Sequence, residues 1–189
     1  MPMPVKVTPA EIPEVLVIET AIVRDDRGFF SETYSSRVLA ESGFHEAFLQ
    51  DNLSSSKKGT VRGLHYQLEP HGMGKLVRVI KGSIFDVAVD IRRGSPSYGK
   101  WLGRTLTEGN RLSLWVPKGF AHGFLALQDE TLVLYKCTET HTPAAERAIN
   151  YADPAIGIAW PIEPSLIAPK DAAAPPLAAA EHHFEYAAR

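Results

Sequence analysis

Phe85-Asp86-Val87-Ala88-Val89-Asp90-Ile91-Arg92 changes character at almost every step. In an extended chain Phe85, Val87, Val89 and Ile91 point one way, and Asp86, Ala88, Asp90 and Arg92 point the other. A period of two over eight residues marks a strand, and its flanks agree. Upstream, Lys75–Lys81 is β-rich and ends at Gly82; downstream, Gly94-Ser95-Pro96-Ser97 turns the chain. Further strands are expected at Trp101–Leu106, Leu112–Val116, Phe124–Leu127 and Thr131–Thr138. The turn Glu108-Gly109-Asn110, the breaker Pro117-Lys118-Gly119 and the turn Gln128-Asp129-Glu130 separate them. Many short strands at near-regular spacing indicate an all-β sandwich or closed barrel. Alternation of strands with long helices is lacking, which argues against a doubly wound fold.

On the N-terminal side, Val61–Gln67 (Val-Arg-Gly-Leu-His-Tyr-Gln) places a histidine in a strand. Residues 1–14, with Pro2, Pro4, Pro9 and Pro13, read as an irregular entry, followed by a strand at Val15–Ile18. Asp25–Gly28 is a turn, Phe29–Tyr34 a strand candidate, and Ser35 the N-cap of a short helix stopped by Gly43. Phe48–Asn52 is a further strand candidate, and Ser54–Gly59 reads as a loop. Past Pro143 the chain reads as looser. A short helix is expected after Pro175-Pro176, and His182-His183 reads as solvated tail rather than a metal tract.

The 189 residues imply one domain, 1–189, able to bury a core without metal or disulfide staples. Twenty basic residues against 22 acidic ones, net −2, give no reason to expect nucleic acid. The single cysteine, Cys137, excludes an intramolecular disulfide and suits a reducing compartment. The N-terminus lacks a signal-peptide profile, and no apolar run approaches a membrane span. A soluble cytoplasmic protein is the expectation.

Two histidines flanked by glycines, His65 and His122, stand out from the seven in the chain. One chemistry for them is metal binding. Pro117–His122 is like the second motif of metal-binding cupins, but Gln67 occupies the second histidine position of the first, and Glu69 and His71 lie off its spacing. The other chemistry is proton transfer beside a carbonyl. That needs an imidazole base, a cation such as Lys75 where enolate charge develops, an acid such as Tyr135 on the opposite face, and a carboxylate to orient the base. Asp86 and Asp171 are candidates for the carboxylate. Lys75 and Arg62 also fit as ordinary solvated charges at strand edges, and Phe29 and Phe30 fit core or dimer packing.

Taken in order, Asp26–Phe30, Gln50–Asn52, Arg62–Gln67, Lys75–Arg78, Phe85–Arg92, Gly94–Pro96, Pro117–Phe124, Tyr135-Lys136, Trp160-Pro161 and Lys170-Asp171 form a specific set. With them the chain resembles the dTDP-4-dehydrorhamnose 3,5-epimerases, cupin-fold sugar-nucleotide epimerases, over roughly residues 12 to 177. The resemblance implies a jelly-roll barrel with short peripheral helices, a homodimer, and a dTDP-4-keto-6-deoxyhexose substrate. It implies no metal and no other cofactor. It makes His65 the general base, Asp171 its carboxylate partner, Tyr135 the proton donor and Lys75 the neighbour of the keto oxygen. His122 then lines the sugar pocket, and nucleotide and phosphate contacts fall to Arg27, Glu32, Gln50, Asp51, Asn52, Arg62, Glu146 and Lys170. Thr140 and His141 stand where the family usually has a tyrosine pair, one member of which stacks on thymine; His141 is the candidate to replace it. Relatives that invert only C3 or only C5 share the catalytic residues. Metal-dependent cupins and catalytically silent sugar-binding cupins are the rival classes.

Overall fold

The computed structural model describes residues 3–187. The chain opens with β1 (Val5–Pro9) and β2 (Leu16–Thr20), a small hairpin of β3 (Val23–Asp25) and β4 (Gly28–Phe30), and helix α1 (Ser36–Glu41). Eight strands follow: β5 (Gln50–Ser56), β6 (Thr60–Gln67), β7 (Lys75–Lys81), β8 (Ser83–Asp90), β9 (Trp101–Thr107), β10 (Leu112–Val116), β11 (Phe120–Ala126) and β12 (Thr131–Cys137). The remainder holds β13 (Glu146–Ala148), β14 (Leu166–Ile167), helix α2 (Pro169–Ala172) and two 3-10 turns.

The strands build two main sheets, as expected for a jelly roll. One runs β1-β2-β10-β7-β12-β5; the other runs β13-β6-β11-β8-β9, with β14 parallel beside β6. Between them lies a core drawn from both: Val77, Val79, Leu114, Val116 and Val133 from the first sheet, Ile84, Ala88, Leu102, Leu106, Phe120 and Phe124 from the second. Leu114, at its centre, is fully buried. Leu114→Ala should cost about 2–5 kcal/mol. A thermal melt should show this as a fall of roughly 5–15 °C.

Strand β8 carries a reversal of the simplest expectation. Its richer apolar side, Val87, Val89 and Ile91, faces outward, away from the space between the sheets. It is covered by Ala145, Ile149, Ile156, Leu177 and Phe184 from the last part of the chain. The side with Asp86 and Asp90 faces inward together with Ile84 and Ala88. The outer face of the first sheet is capped by Leu39 and Phe44, which pack on Ile18, Leu76 and Trp115. Helix α1 is short but well started: the Ser35 hydroxyl accepts from Val38 N at 3.4 Å, and Gly43, at φ +83°, takes the chain out of it.

Several boundaries differ from the sequence reading. The proline-rich entry contains β1, an edge strand whose valines pack on β2; Pro9 is tolerated at its end because one side of the strand needs no partner. Pro2 lies outside the described residues. The strand expected at Phe29–Tyr34 stops at Phe30, and both phenylalanines are exposed rather than in the core of this chain. β5 runs through the serines to Ser56 because it too is an edge strand, paired only with β12. β11 begins four residues early, at Phe120. The Ala-rich tail forms a 3-10 turn at Leu177–Ala179 rather than a helix. His182 is buried, with 2 % of its surface exposed, and is not solvated tail. No helix among the described residues is long and apolar enough to cross a membrane.

Candidate active site

The inward-facing residues change from apolar to polar toward one end of the sandwich. On β6 the step of two from Val61 reaches Gly63, His65 and Gln67. On β11 it runs Phe120, His122, Phe124, and the register pairs His122 with His65. The facing sheet contributes Lys75 from the start of β7, Tyr135 from β12, and Gln50, Asn52 and Ser54 from β5. Together they line a cavity of about 640 Å³, a volume suited to a ligand the size of a cofactor or nucleotide sugar.

His65 Nε2 lies 2.7 Å from Asp171 Oδ1, and Asp171 Oδ2 accepts from Gly63 N at 3.3 Å. Burial works against the Asp171 carboxylate, but the hydrogen bond and charge of His65, the Gly63 N–H and Lys170 outweigh it and hold its pKa below the usual value. An ionised carboxylate can only accept, so Nε2 of His65 carries the hydrogen, and in the neutral form of the ring Nδ1 is the nitrogen with the lone pair. A second imidazole–carboxylate pair lies beside it. His122 Nε2 meets Asp86 Oδ1 at 2.8 Å, fully inside the protein. Burial, reinforced by Lys75 and His65, pushes the His122 imidazole below its ordinary pKa despite the pull of Asp86.

Across the cavity, burial pushes the Lys75 ammonium pKa down, while Cys137, Asp86 and Glu146 pull it back. Lys75 makes no ion pair among the described residues and lines the cavity. Burial also pushes the Tyr135 hydroxyl up, helped by Cys137 and Glu146 and opposed by Arg62, so it stays protonated at neutral pH. The result is a lone-pair nitrogen on one sheet and an O–H donor with a cation on the facing sheet. A flat carbonyl substrate between them would meet a base and an acid on opposite faces.

The mouth is polar. Lys170 Nζ and His141 Nε2 approach the Glu146 carboxylate at 3.1 and 3.6 Å. The Gln50 amide accepts from His141 N at 2.9 Å and donates to Asn52 at 3.0 Å. Arg62 is steadied by Ser56 Oγ at 3.1 Å and the Ser55 carbonyl at 3.0 Å. Burial raises the Glu146 carboxyl but Lys170, His65 and His141 outweigh it, leaving its pKa low.

Of the fourteen residues singled out from the sequence, eleven line this cavity: His65, Tyr135, Asp171, Lys75, Gln50, Asn52, Arg62, His122, His141, Glu146 and Lys170. Three do not. Arg27 sits on the exposed β3–β4 hairpin, paired with Asp25. Asp51 points to the outer side of β5 and binds Lys136 Nζ at 2.9 Å. Glu32 follows the hairpin and is placed beside Met3. Ser54, which the alternation with Gln50 and Asn52 would have found, also lines the cavity, as do Leu166 and Ile167 of β14, which no periodic signal announced. Gln67 is fully used by the backbone: it donates to the His71 and Thr140 carbonyls and accepts from Thr142 N at 2.7 Å. Among the described residues no three His, Cys, Asp or Glu side chains converge as metal ligands.

Comparison with known proteins agrees with this geometry. The family model described as dTDP-4-dehydrorhamnose 3,5-epimerase matches residues 9–179. The dTDP-4-dehydrorhamnose 3,5-epimerase of Shigella flexneri is 49% identical over 162 residues, 85% of this chain and 90% of that protein. The protein of the same name from Methanothermobacter thermautotrophicus is 51% identical over 148 residues, 78% of this chain and 80% of that one. Among solved structures, the dTDP-6-deoxy-D-glucose-3,5-epimerase of Legionella pneumophila Philadelphia 1, in complex with dTDP-4-keto-L-rhamnose, superposes with a TM-score of 0.88 at 45% identity, covering 93% of this chain and 94% of that one. A cupin-type jelly roll with this motif order, matched across nearly its whole length, belongs to the dTDP-4-dehydrorhamnose 3,5-epimerase family.

Proposed function

We propose that the chain inverts C3 and C5 of dTDP-4-dehydro-6-deoxyglucose, giving dTDP-4-dehydrorhamnose, with His65 as base and Tyr135 as acid and without a metal or other cofactor. The observation that carries this reading is the opposition of the two groups: His65 on one sheet, held by Asp171 of α2, with Tyr135 and Lys75 on the other. The C4 ketone acidifies the hydrogens on both neighbouring carbons. His65 Nδ1 takes one of them, the electron pair moves into an enolate, and the Lys75 ammonium faces the oxygen where the charge collects. Tyr135 then delivers its proton to the other face of the same carbon. This leaves an imidazolium held by Asp171 and a tyrosinate; solvent removes the proton from the first and restores it to the second, and the cycle repeats at the other carbon. Arg62 and Lys170, cations at the mouth, suit the diphosphate. Acid–base residues set on opposite faces favour an enzyme over a silent sugar-binding cupin.

The reading extends to a homodimer. Val23, Phe29 and Phe30 on the β3–β4 hairpin are each more than half exposed in one chain, and a second copy would cover them. Arg27, on the same hairpin, and Glu32, just beyond it, would then meet the substrate as part of the assembly rather than of this chain's own cavity. The functional unit is one domain spanning residues 1–189, and its free, buried Cys137 suits the cytoplasm.

The test is proton exchange followed by NMR in deuterium oxide with dTDP-4-dehydro-6-deoxyglucose. The native protein should place deuterium at both C3 and C5. Exchange at one carbon would make it a mono-epimerase, and none at either would overturn the catalytic reading. Tyr135→Phe should separate two events: His65 still removes and returns hydrogen on its own face, so exchange persists, while inverted product falls by on the order of a hundredfold or more.

A further inference from the structure

The family match ends at residue 179, yet the chain beyond it is well packed. From Glu181 to Tyr186 it alternates: His182 and Phe184 are buried and Tyr186 partly so, while Glu181, His183 and Glu185 are exposed. The segment is tied at both ends. Tyr66 Oη donates to the Glu181 carbonyl at 2.6 Å, and Arg147 Nε reaches the Glu181 carboxylate at 2.7 Å. Farther along, Arg93 N donates to the Phe184 carbonyl at 2.8 Å and Tyr186 N to the Arg93 carbonyl at 2.9 Å. Tyr66 follows His65 on β6 and points to the opposite side of the strand, against Phe184. The segment therefore lies as a strap on the back of the strand that carries the proposed base.

His182 sits between these two sets of ties. Its Nε2 meets the Tyr98 hydroxyl at 3.0 Å, and its Nδ1 is buried without a hydrogen-bond partner among the described residues. A neutral ring tolerates one idle nitrogen. A protonated ring carries a hydrogen on both, so Nδ1 would become a buried charged donor with no acceptor. The charges around it make this worse: Arg93 and the neighbouring His183 add positive charge, and Glu185 opposes them only in part. Tyr98, the group in direct contact, carries no charge to offset.

We propose that residues 181–187 form a pH-released strap, which His182 latches to the back of the sheet while its ring is neutral and frees when the ring is protonated. The sign follows from burial, the largest influence, which lowers the docked imidazole below its free value of 6.5. Docking is then at full strength above that value and weakens as pH falls through it. Glu181 does not share the response, because Arg147 and then His183 hold its carboxyl below the usual range.

Hydrogen exchange read by mass spectrometry on the full chain tests this without any measure of activity. The amides of Arg93 and Tyr186 report docking directly. After correction for intrinsic rates, their protection should fall by up to about tenfold per pH unit below about pH 6.5, while β11 stays protected. His182→Phe, which keeps a buried ring that cannot titrate, should remove the pH response, and His183→Gln should leave it intact. Protection that is equal at pH 8 and pH 5 in the native chain would overturn the proposal. So would a response that survives His182→Phe or disappears in His183→Gln.

Discussion

His65→Gln should lower deuterium incorporation at C3 and at C5 together, by on the order of 10²–10⁴, with little change in thermal stability. Glutamine is the informative replacement because its amide nitrogen can take the place of Nε2. Asp171, 2 % exposed, thus keeps a donor and the buried carboxylate is not orphaned. Only the lone pair of Nδ1 disappears. A uniform loss at both carbons is the mark of a single base serving two positions. If exchange at one carbon survived, the second imidazole–carboxylate pair, His122 with Asp86, would have to be the base there. If both survived, proton abstraction by His65 would be wrong. A melting temperature within a few degrees of the native value separates these outcomes from simple unfolding.

Gly63→Ala should be among the most damaging single changes, lowering the melting temperature by about ten degrees or more. Gly63 has φ +134°, a region that side chains rarely enter. A methyl there would lie 2.5 Å from Gly123 Cα and 2.9 Å from the His122 carbonyl, both backbone atoms that cannot swing aside. The neighbouring strands β6 and β11 approach through this bare pair of glycines. The register between them shifts here, between His122 and Phe124. Gly63 also gives its N–H to Asp171, so the misfit would reach the His65 pair even in molecules that fold. Gly109→Ala is the control: a methyl at that turn would meet only Thr107 Oγ1, at 3.8 Å, and the melt should be unchanged.

The parts of the molecule that were legible in the sequence share one physical trait, a local pattern with a local cause. β7 and β10 were bounded to the residue because Gly82 and Pro117 end them and their side chains alternate. Ser35 announced α1 because capping is settled within three residues. Edge strands were harder. β1 and β5 carry prolines and serines that weigh against a strand, and only pairing on one side rescues them. The short elements near the C-terminus were out of reach for a different reason. β14 and α2 exist because β6 and the barrel mouth lie beside them, and nothing in Leu166–Ala172 by itself requires them. The site divides in the same way. Glycine neighbours single out His65 and His122 locally, but bringing Asp171 to His65 spans 106 positions, and that pairing is what the family resemblance implies. Asp86, the other candidate carboxylate, turns inward on the less apolar side of its strand and meets His122 rather than His65.

The outward-facing valines of β8 set a constraint on how the protein is made. Val87, Val89 and Ile91 find their cover in Ile149, Ile156, Leu177 and Phe184, some sixty to one hundred positions later. During synthesis these residues leave the ribosome long before their partners do. With chains growing at about 5–20 residues per second, the back of the sheet stays bare for several seconds, and a chain interrupted before Phe184 never covers it completely. The sheet that carries the histidine pairs is thus covered late, and in that interval its bare apolar face exposes the nascent chain to chaperones and to aggregation.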